Sequence, residues 1–294
     1  MDMSTTKALL LAVAAIAVIS MMDASVKSLS GDASTLTILF FRQGVAAVLL
    51  GGLALYKGSH FPTRAQLPLH FIRAMMIGAT AFAFFYAVGE LPLMLVTAIF
   101  MVAPILVSIM GVVFLKEEVT KTLIFGTILG FAGAMVIVFG GSNGADFSAS
   151  GDLWAWVAAL LGPFGYALSI VVMKSQSRQA DATIITFLQA FFIALVAAPF
   201  AVVQLDVPSL DIGLRLASVG FLGALGFVLY VSALRNLPAS VFVLTENTAL
   251  LWAAMFGFIF FMEVPALTTW VGAFMIIAAC LSVGRQQVRR TPKR

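Results

Sequence analysis

Residues 238–263 read PASVFVLTENTALLWAAMFGFIFFME. The stretch is apolar and longer than the roughly 20 residues needed to cross a bilayer. Yet it carries Thr245, Glu246, Asn247 and Thr248 in succession. A carboxyl in hydrocarbon is costly, and such residues face the interior of a helix bundle or a water-filled path. At about 1.5 Å per residue, Glu246 lies roughly 12 Å into the span. The stretch is therefore predicted to be a membrane helix with a functional or packing acid near its middle.

The rest of the chain has the same character. Of 294 residues, 62% are hydrophobic and 10% charged, with a mean hydropathy of +1.08. A soluble domain carries about 25% charged residues, so the polar surface that solubility needs is missing. Ten apolar runs are expected to be helices, at 8–27, 35–56, 68–88, 92–114, 122–140, 153–173, 183–203, 214–234, 238–261 and 266–284. They are continuous, unlike the roughly ten-residue alternating strands of an outer-membrane barrel. The net charge of +4 is scattered over short loops and concerns topology, not nucleic acid. With the N-terminus in the cytoplasm, 14 Lys and Arg fall on the cytoplasmic side, against only Lys27 and Arg215 outside, while Arg42 lies within a span. This bias predicts an inner-membrane protein with both termini cytoplasmic. The N-terminal run after Lys7 superficially looks like a signal peptide, but it continues into a repeat and is not expected to be cleaved. The lone Cys280 can form no intrachain disulfide.

A shift of about 146 positions lays the second half over the first. Leu91-Pro92 falls on Leu237-Pro238, Gly111 on Gly257, Glu117 on Glu263, Thr122 on Thr268 and Gly126 on Gly272. At a shift of 147, Lys27-Ser28 meets Lys174-Ser175. The predicted units are residues 1–146 and 147–294, five spans each. An odd number of spans inserts the second unit upside down, the inverted repeat that places a substrate site near mid-membrane between the units.

The spacing of Pro92, Pro104 and Glu117, echoed at Pro238 and Glu263, resembles the drug/metabolite transporter superfamily, and its EamA-type branch in particular. Phe40-Phe41-Arg42, the pair His70 and Arg73, and Asp23 with Lys27 are similar to that branch as well. The resemblance spans the chain. It implies an all-α, ten-helix secondary transporter. Members include exporters of amino acids and other metabolites, and uptake carriers such as those for S-adenosylmethionine. The second half departs from the pattern at Leu250, which stands where the first has Pro104, so a kink at Pro104 does not carry over to the ninth span.

The candidate site residues follow from charge inside spans. Glu246, whose repeat partner is Phe100, suits a proton or a substrate ammonium, or else a packing role. Arg42, opposite Gln189 in the repeat, suits a carboxylate or a structural tie. Arg73 is the expected salt-bridge partner if Glu246 has one. Asn247, Thr248, Tyr86, Tyr166, Tyr230 and Trp252 are further candidates to line a cavity. Asp23 and Lys27, four apart, can pair. Pro104 and Pro163 are expected helix kinks. Gly126, Gly130 and Gly133 form a packing face, within the fold or between two copies. Residues 140–144 match the GxSxG pattern of hydrolases but lie in a loop far from His60 and His70, and read as linker. Neither a Walker A loop nor a Cys/His metal cluster is present, so no cofactor, metal or enzymatic activity is expected. The sequence thus points to a transporter of an amino acid or related zwitterion, export ahead of import, with proton coupling open. Uptake of a nucleoside-like or cationic metabolite is the alternative, and a non-transporting scaffold the remote one.

Overall fold

The computed structural model describes residues 4–29, 32–33, 35–90, 96, 99–100, 102–118, 120–140, 153–203, 209–262 and 267–290. Pro92, Pro208, Glu263 and the linker after Gly140 fall outside these. The helices are α1 (Thr5–Leu29), α2 (Thr35–Tyr56), α3 (Leu67–Glu90), α4 (Ala103–Leu115), α5 (Lys121–Gly140), α6 (Leu153–Gln176), α7 (Ala182–Val203), α8 (Leu210–Asn236), α9 (Ala239–Glu246), α10 (Ala249–Phe261) and α11 (Leu267–Arg290). Among the described residues there is no strand. Among the described residues eight segments are long and apolar enough to span a bilayer, with α9 and α10 counting as one, and the shorter α4 and α5 bring the total to ten. This is the all-α, ten-segment architecture that hydropathy predicts.

The repeat is visible in the backbone. Helices α4 and α10 begin at Ala103 and Ala249 and end at Leu115 and Phe261, in both cases 146 residues apart. Each stops at a non-glycine residue in the left-handed region, Lys116 (φ 55°) and Met262 (φ 57°). The capping N–H groups of these residues bond to Gly111 and Gly257 respectively. Side-chain crowding makes that conformation unfavourable for L-residues, so its recurrence at matched positions marks a duplicated design. Packing repeats too. Helix α1 lies on α8 and α3 on α6; α2 lies on α7 and α5 on α11. Exchanging the halves maps this set onto itself, as a two-fold axis between them requires.

One expectation needs correction, and one open choice is narrowed. Pro104 is not a mid-helix kink: it sits in the first turn of α4, where a missing N–H leaves no bond unmade. The ninth span breaks at the matching place without a proline, as described below. Pro163 does lie inside a helix, buried within α6. The glycine face of α5 packs within the fold, the first of its two expected uses. A Cβ on Gly126 would meet Val283 at 2.4 Å, one on Gly130 would meet Asn247 at 2.7 Å, and one on Gly133 would meet the Gly272 carbonyl at 2.8 Å. The face is occupied within the fold by α9 and α11, and is not free to receive a second copy.

Gly272→Ala tests this contact. Its new methyl would stand 2.4 Å from the Gly133 carbonyl and 2.5 Å from Ile137, and such overpacking costs about 1–3 kcal/mol. The melting temperature in detergent should fall. Gly44→Ala, with nothing within 4 Å of its Cβ, should not lower it.

Candidate functional site

The ninth span changes its hydrogen bonding at its polar centre. Asn247 and Thr248, between α9 and α10, keep right-handed dihedrals. Their bonds tighten to a three-residue step: Thr248 N–H donates to the Thr245 carbonyl at 3.0 Å, and Leu251 N–H to that of Thr248 at 3.0 Å. The Thr245 and Thr248 hydroxyls donate three residues back, to Phe242 (2.6 Å) and Thr245 (2.7 Å). Such local bonds compete with the regular ladder, and a tight turn inside a span often marks a functional site.

The corner before α9 is clamped from both halves. Lys174 of α6 donates to the carbonyls of Leu234 (2.5 Å), Arg235 (3.0 Å) and Leu237, at the end of α8. Glu117 accepts from Ala239 N–H (2.6 Å), Ser240 N–H (3.2 Å) and Ser240 Oγ (2.8 Å), at the start of α9. A cation at a helix C-terminus and an anion at an N-terminus complement the exposed backbone groups and the helix dipoles. By sequence Lys174 counts only among the basic residues of the cytoplasmic side. Instead it is buried, 5% exposed, and helps fix where Glu246 stands two turns later.

Glu246 borders a cavity of about 240 Å³ enclosed by α1, α3, α6, α7, α8, α9 and α10. Tyr166 donates to its Oε1 at 2.6 Å, and Tyr230 donates to the same oxygen. The two hydroxyls lie 3.3 Å apart. Oε2 takes no hydrogen bond from a described residue. On another wall Arg73, 1% exposed, donates to Gln189 Oε1 (2.7 Å) and to the Ile185 carbonyl (3.1 Å). Arg73 is therefore tied to α7. Glu246 draws its bonds from tyrosines instead of the expected salt bridge to Arg73. Asp23 also lines the cavity. Its charge interacts with Arg42; the side chain of Lys27, its expected partner within α1, lies outside the described residues. The stem of Arg42 lies along α8, so that a Cβ on Gly223 would be 3.6 Å from its Cγ.

Other candidates are elsewhere. Tyr86 stacks on Phe82 (6.3 Å, 6°) and is exposed on the outer surface of the bundle. Trp252 stacks on Phe256 and borders, with Thr248, a separate apolar crevice between α1, α10 and α11. The Asn247 side chain packs against Gly130 of α5. The cavity thus gathers Glu246, Tyr166, Tyr230, Arg73 and Gln189 from the predicted set. It adds Asp23, Ser169 and Phe227. Asp23 was legible as half of a pair with Lys27 near the outer end of α1; Ser169 and Phe227 carry no signal among many similar helix residues. Among the described residues, no group of three or more His, Cys, Asp or Glu could hold a metal.

The model of the EamA-like transporter family matches residues 6–139 and again 150–285. The chain is 27% identical over 279 residues to the pseudopaline exporter CntI of Pseudomonas aeruginosa, covering 94% of this chain and 95% of the exporter. It is 25% identical over 250 residues to a riboflavin transporter of Brucella anthropi, covering 85% and 87%. A solved crystal structure superposes with a TM-score of 0.78 at 15% identity, covering 94% of this chain and 98% of its own, a likeness of fold.

The Arg73–Gln189 bond yields a stability prediction. Gln189→Leu removes a buried acceptor from a guanidinium and should cost about 1–3 kcal/mol, read as a lower melting temperature in detergent. Gln189→Glu, which keeps an acceptor at that place, should recover most of the loss.

Proposed function

Because this chain belongs to the EamA-like transporter family, we propose that it is a secondary transporter carrying a small zwitterion, an amino acid or related metabolite, out across the inner membrane. Both termini are cytoplasmic in this reading, which the Lys and Arg bias supports. Residues 1–146 and 147–294 rock about the central cavity, opening it to alternate sides. The observation that carries the proposal is the Glu246 carboxylate, held by Tyr166 and Tyr230 across a 240 Å³ cavity from Arg73 and Gln189.

Each end of a zwitterion has a counterpart there. Its ammonium meets Oε2 of Glu246. Its carboxylate meets Arg73, in the place that Gln189 Oε1 now takes. Without substrate, Glu246 binds a proton. Proton and ammonium compete for one carboxylate, and this exclusion couples the outward path of one to the inward path of the other. Tyr166 and Tyr230 are positioning residues. Hydrogen bonds to a charged group contribute about 1.5–3 kcal/mol each, enough to hold one carboxylate oxygen still while the other faces the cavity. Arg42 acts on Asp23, keeping a second acid from attracting the ammonium away. Likeness to a named exporter supports the outward direction. A second reading, uptake of a nucleoside-like or cationic metabolite such as S-adenosylmethionine, draws on the aromatic surfaces of Tyr166, Phe227 and Tyr230 around the same acid.

Purified protein in liposomes should move radiolabelled amino acids at a rate set by the pH gradient. Glu246→Gln should abolish the gradient dependence while folded yield stays intact. Undiminished gradient-driven flux in that variant would reduce Glu246 to a packing residue. Tyr230→Phe should slow flux by about tenfold, the equivalent of 1.4 kcal/mol.

A further inference from the structure

Buried polar groups continue from the central cavity toward the face rich in Lys and Arg, between α3, α6 and α7. Arg73, Met173 and Gln189 form one layer: the guanidinium reaches Met173 Sδ at 3.7 Å and Gln189 Oε1 at 2.7 Å. Three residues on, along each helix in the direction of the basic face, stand His70, Gln176 and Thr186. They are 4%, 5% and 4% exposed. Yet His70 Nδ1, both amide atoms of Gln176, Thr186 Oγ1 and Arg73 Nε have no hydrogen-bond partner among the described residues. Unbonded buried polar atoms are destabilising, and native proteins rarely keep several together except where water reaches them.

A second cavity, of about 160 Å³, takes up the line below this layer. His60, Gln66, His70, Gln176 and Gln179 contribute its polar walls. Water occupies about 30 Å³ per molecule in the liquid, so this space holds several. The neighbouring side chains Ile170, Ile185 and Leu234 are 1%, 0% and 0% exposed. The unbonded polar atoms stand between the two cavities, with Arg73 lining the central one and His70 and Gln176 the second.

We propose that His70, Gln176, Thr186 and Arg73 line a hydrated proton route from Glu246 to the basic face. The route rests on the reading of Glu246 as the coupling carboxyl, loaded from the opposite side. The substrate ammonium, arriving from the basic face, displaces the Glu246 proton to the first water. Each water gives one proton forward and receives one from behind. His70 takes a proton at one ring nitrogen and releases the other from the opposite nitrogen. The proton leaves at the second pocket, where His60 is the other titratable group, so one proton is moved and only O–H and N–H bonds are exchanged. Arg73 fixes a positive charge beside this file, and Tyr166, Tyr230 and Asp23 face its inner end. The Arg73 charge opposes an excess proton entering from the basic face, as cationic groups do in water pores. The route thus carries a proton away when substrate replaces it at Glu246 and resists its return.

The test uses the full chain in liposomes, with an amino acid that the wild type carries. Gln176→Leu, Thr186→Val and His70→Phe should each lower pH-gradient-driven flux by roughly tenfold. Counterflow of labelled against unlabelled substrate at equal pH should stay within about twofold, because exchange of one substrate for another releases no net proton to that side. Hydroxyl-radical footprinting of the wild type should oxidise Met173 and His70 despite their burial, which would not occur in a dry core. Unlabelled Met173, or variants with undiminished gradient-driven flux, would overturn the route and leave Glu246 as the coupling group. Wild-type flux indifferent to the pH gradient would remove the coupling reading and the route together.

Discussion

A carboxylate deep in a low-dielectric bundle has to be hydrogen-bonded, and this requirement organises the centre of the protein. Burying an ionised group without partners costs far more than folding can supply. Tyr166 from α6 and Tyr230 from α8 meet that cost at one oxygen of Glu246. Both donors and the acceptor come from the second half of the chain, so that half alone holds the acid in place. The clamps around the α8–α9 corner serve the same end. Lys174 and Glu117 each supply several hydrogen bonds to backbone groups that a helix terminus leaves open, and they set the height at which the acid enters the bundle.

Duplication supplies the frame and its departures supply the site. Helix limits, left-handed stops and packing partners recur at 146 residues. Glu246 faces Phe100 in the repeat, and the Phe100 ring packs where a Cβ on Gly162 would meet it at 2.2 Å. One half thus fills that position with an aromatic ring and the other with an acid. The two-fold frame makes the cavity, while the asymmetry gives it a charge and a direction.

Most of the fold was legible because hydrocarbon imposes a simple rule: spans must be long, apolar and helical. The duplication was legible because Pro, Gly and charged residues are sparse enough for their matches to stand out. Contacts across the bundle were harder. Arg73 and Lys174 look like ordinary members of the positive face, and nothing local signals that one bonds Gln189 and the other three carbonyls. Tyr86 and Tyr166 are equivalent as letters, but only Tyr166 turns inward. The broken ninth span was hidden for a different reason. A proline in the fourth span drew the eye, whereas the break comes from hydroxyl groups at Thr245 and Thr248 that bond to their own turn.

The central claim is that proton and substrate share the Glu246 carboxyl. The most direct measurement is proton exchange on binding, read with a pH indicator in weakly buffered, detergent-solubilised protein mixed with an amino acid it carries. Near the midpoint of the site, substrate should release protons from the wild type in proportion to binding, and none from Glu246→Gln. Substrate binding to the wild type with no proton release across the pH range would contradict the account.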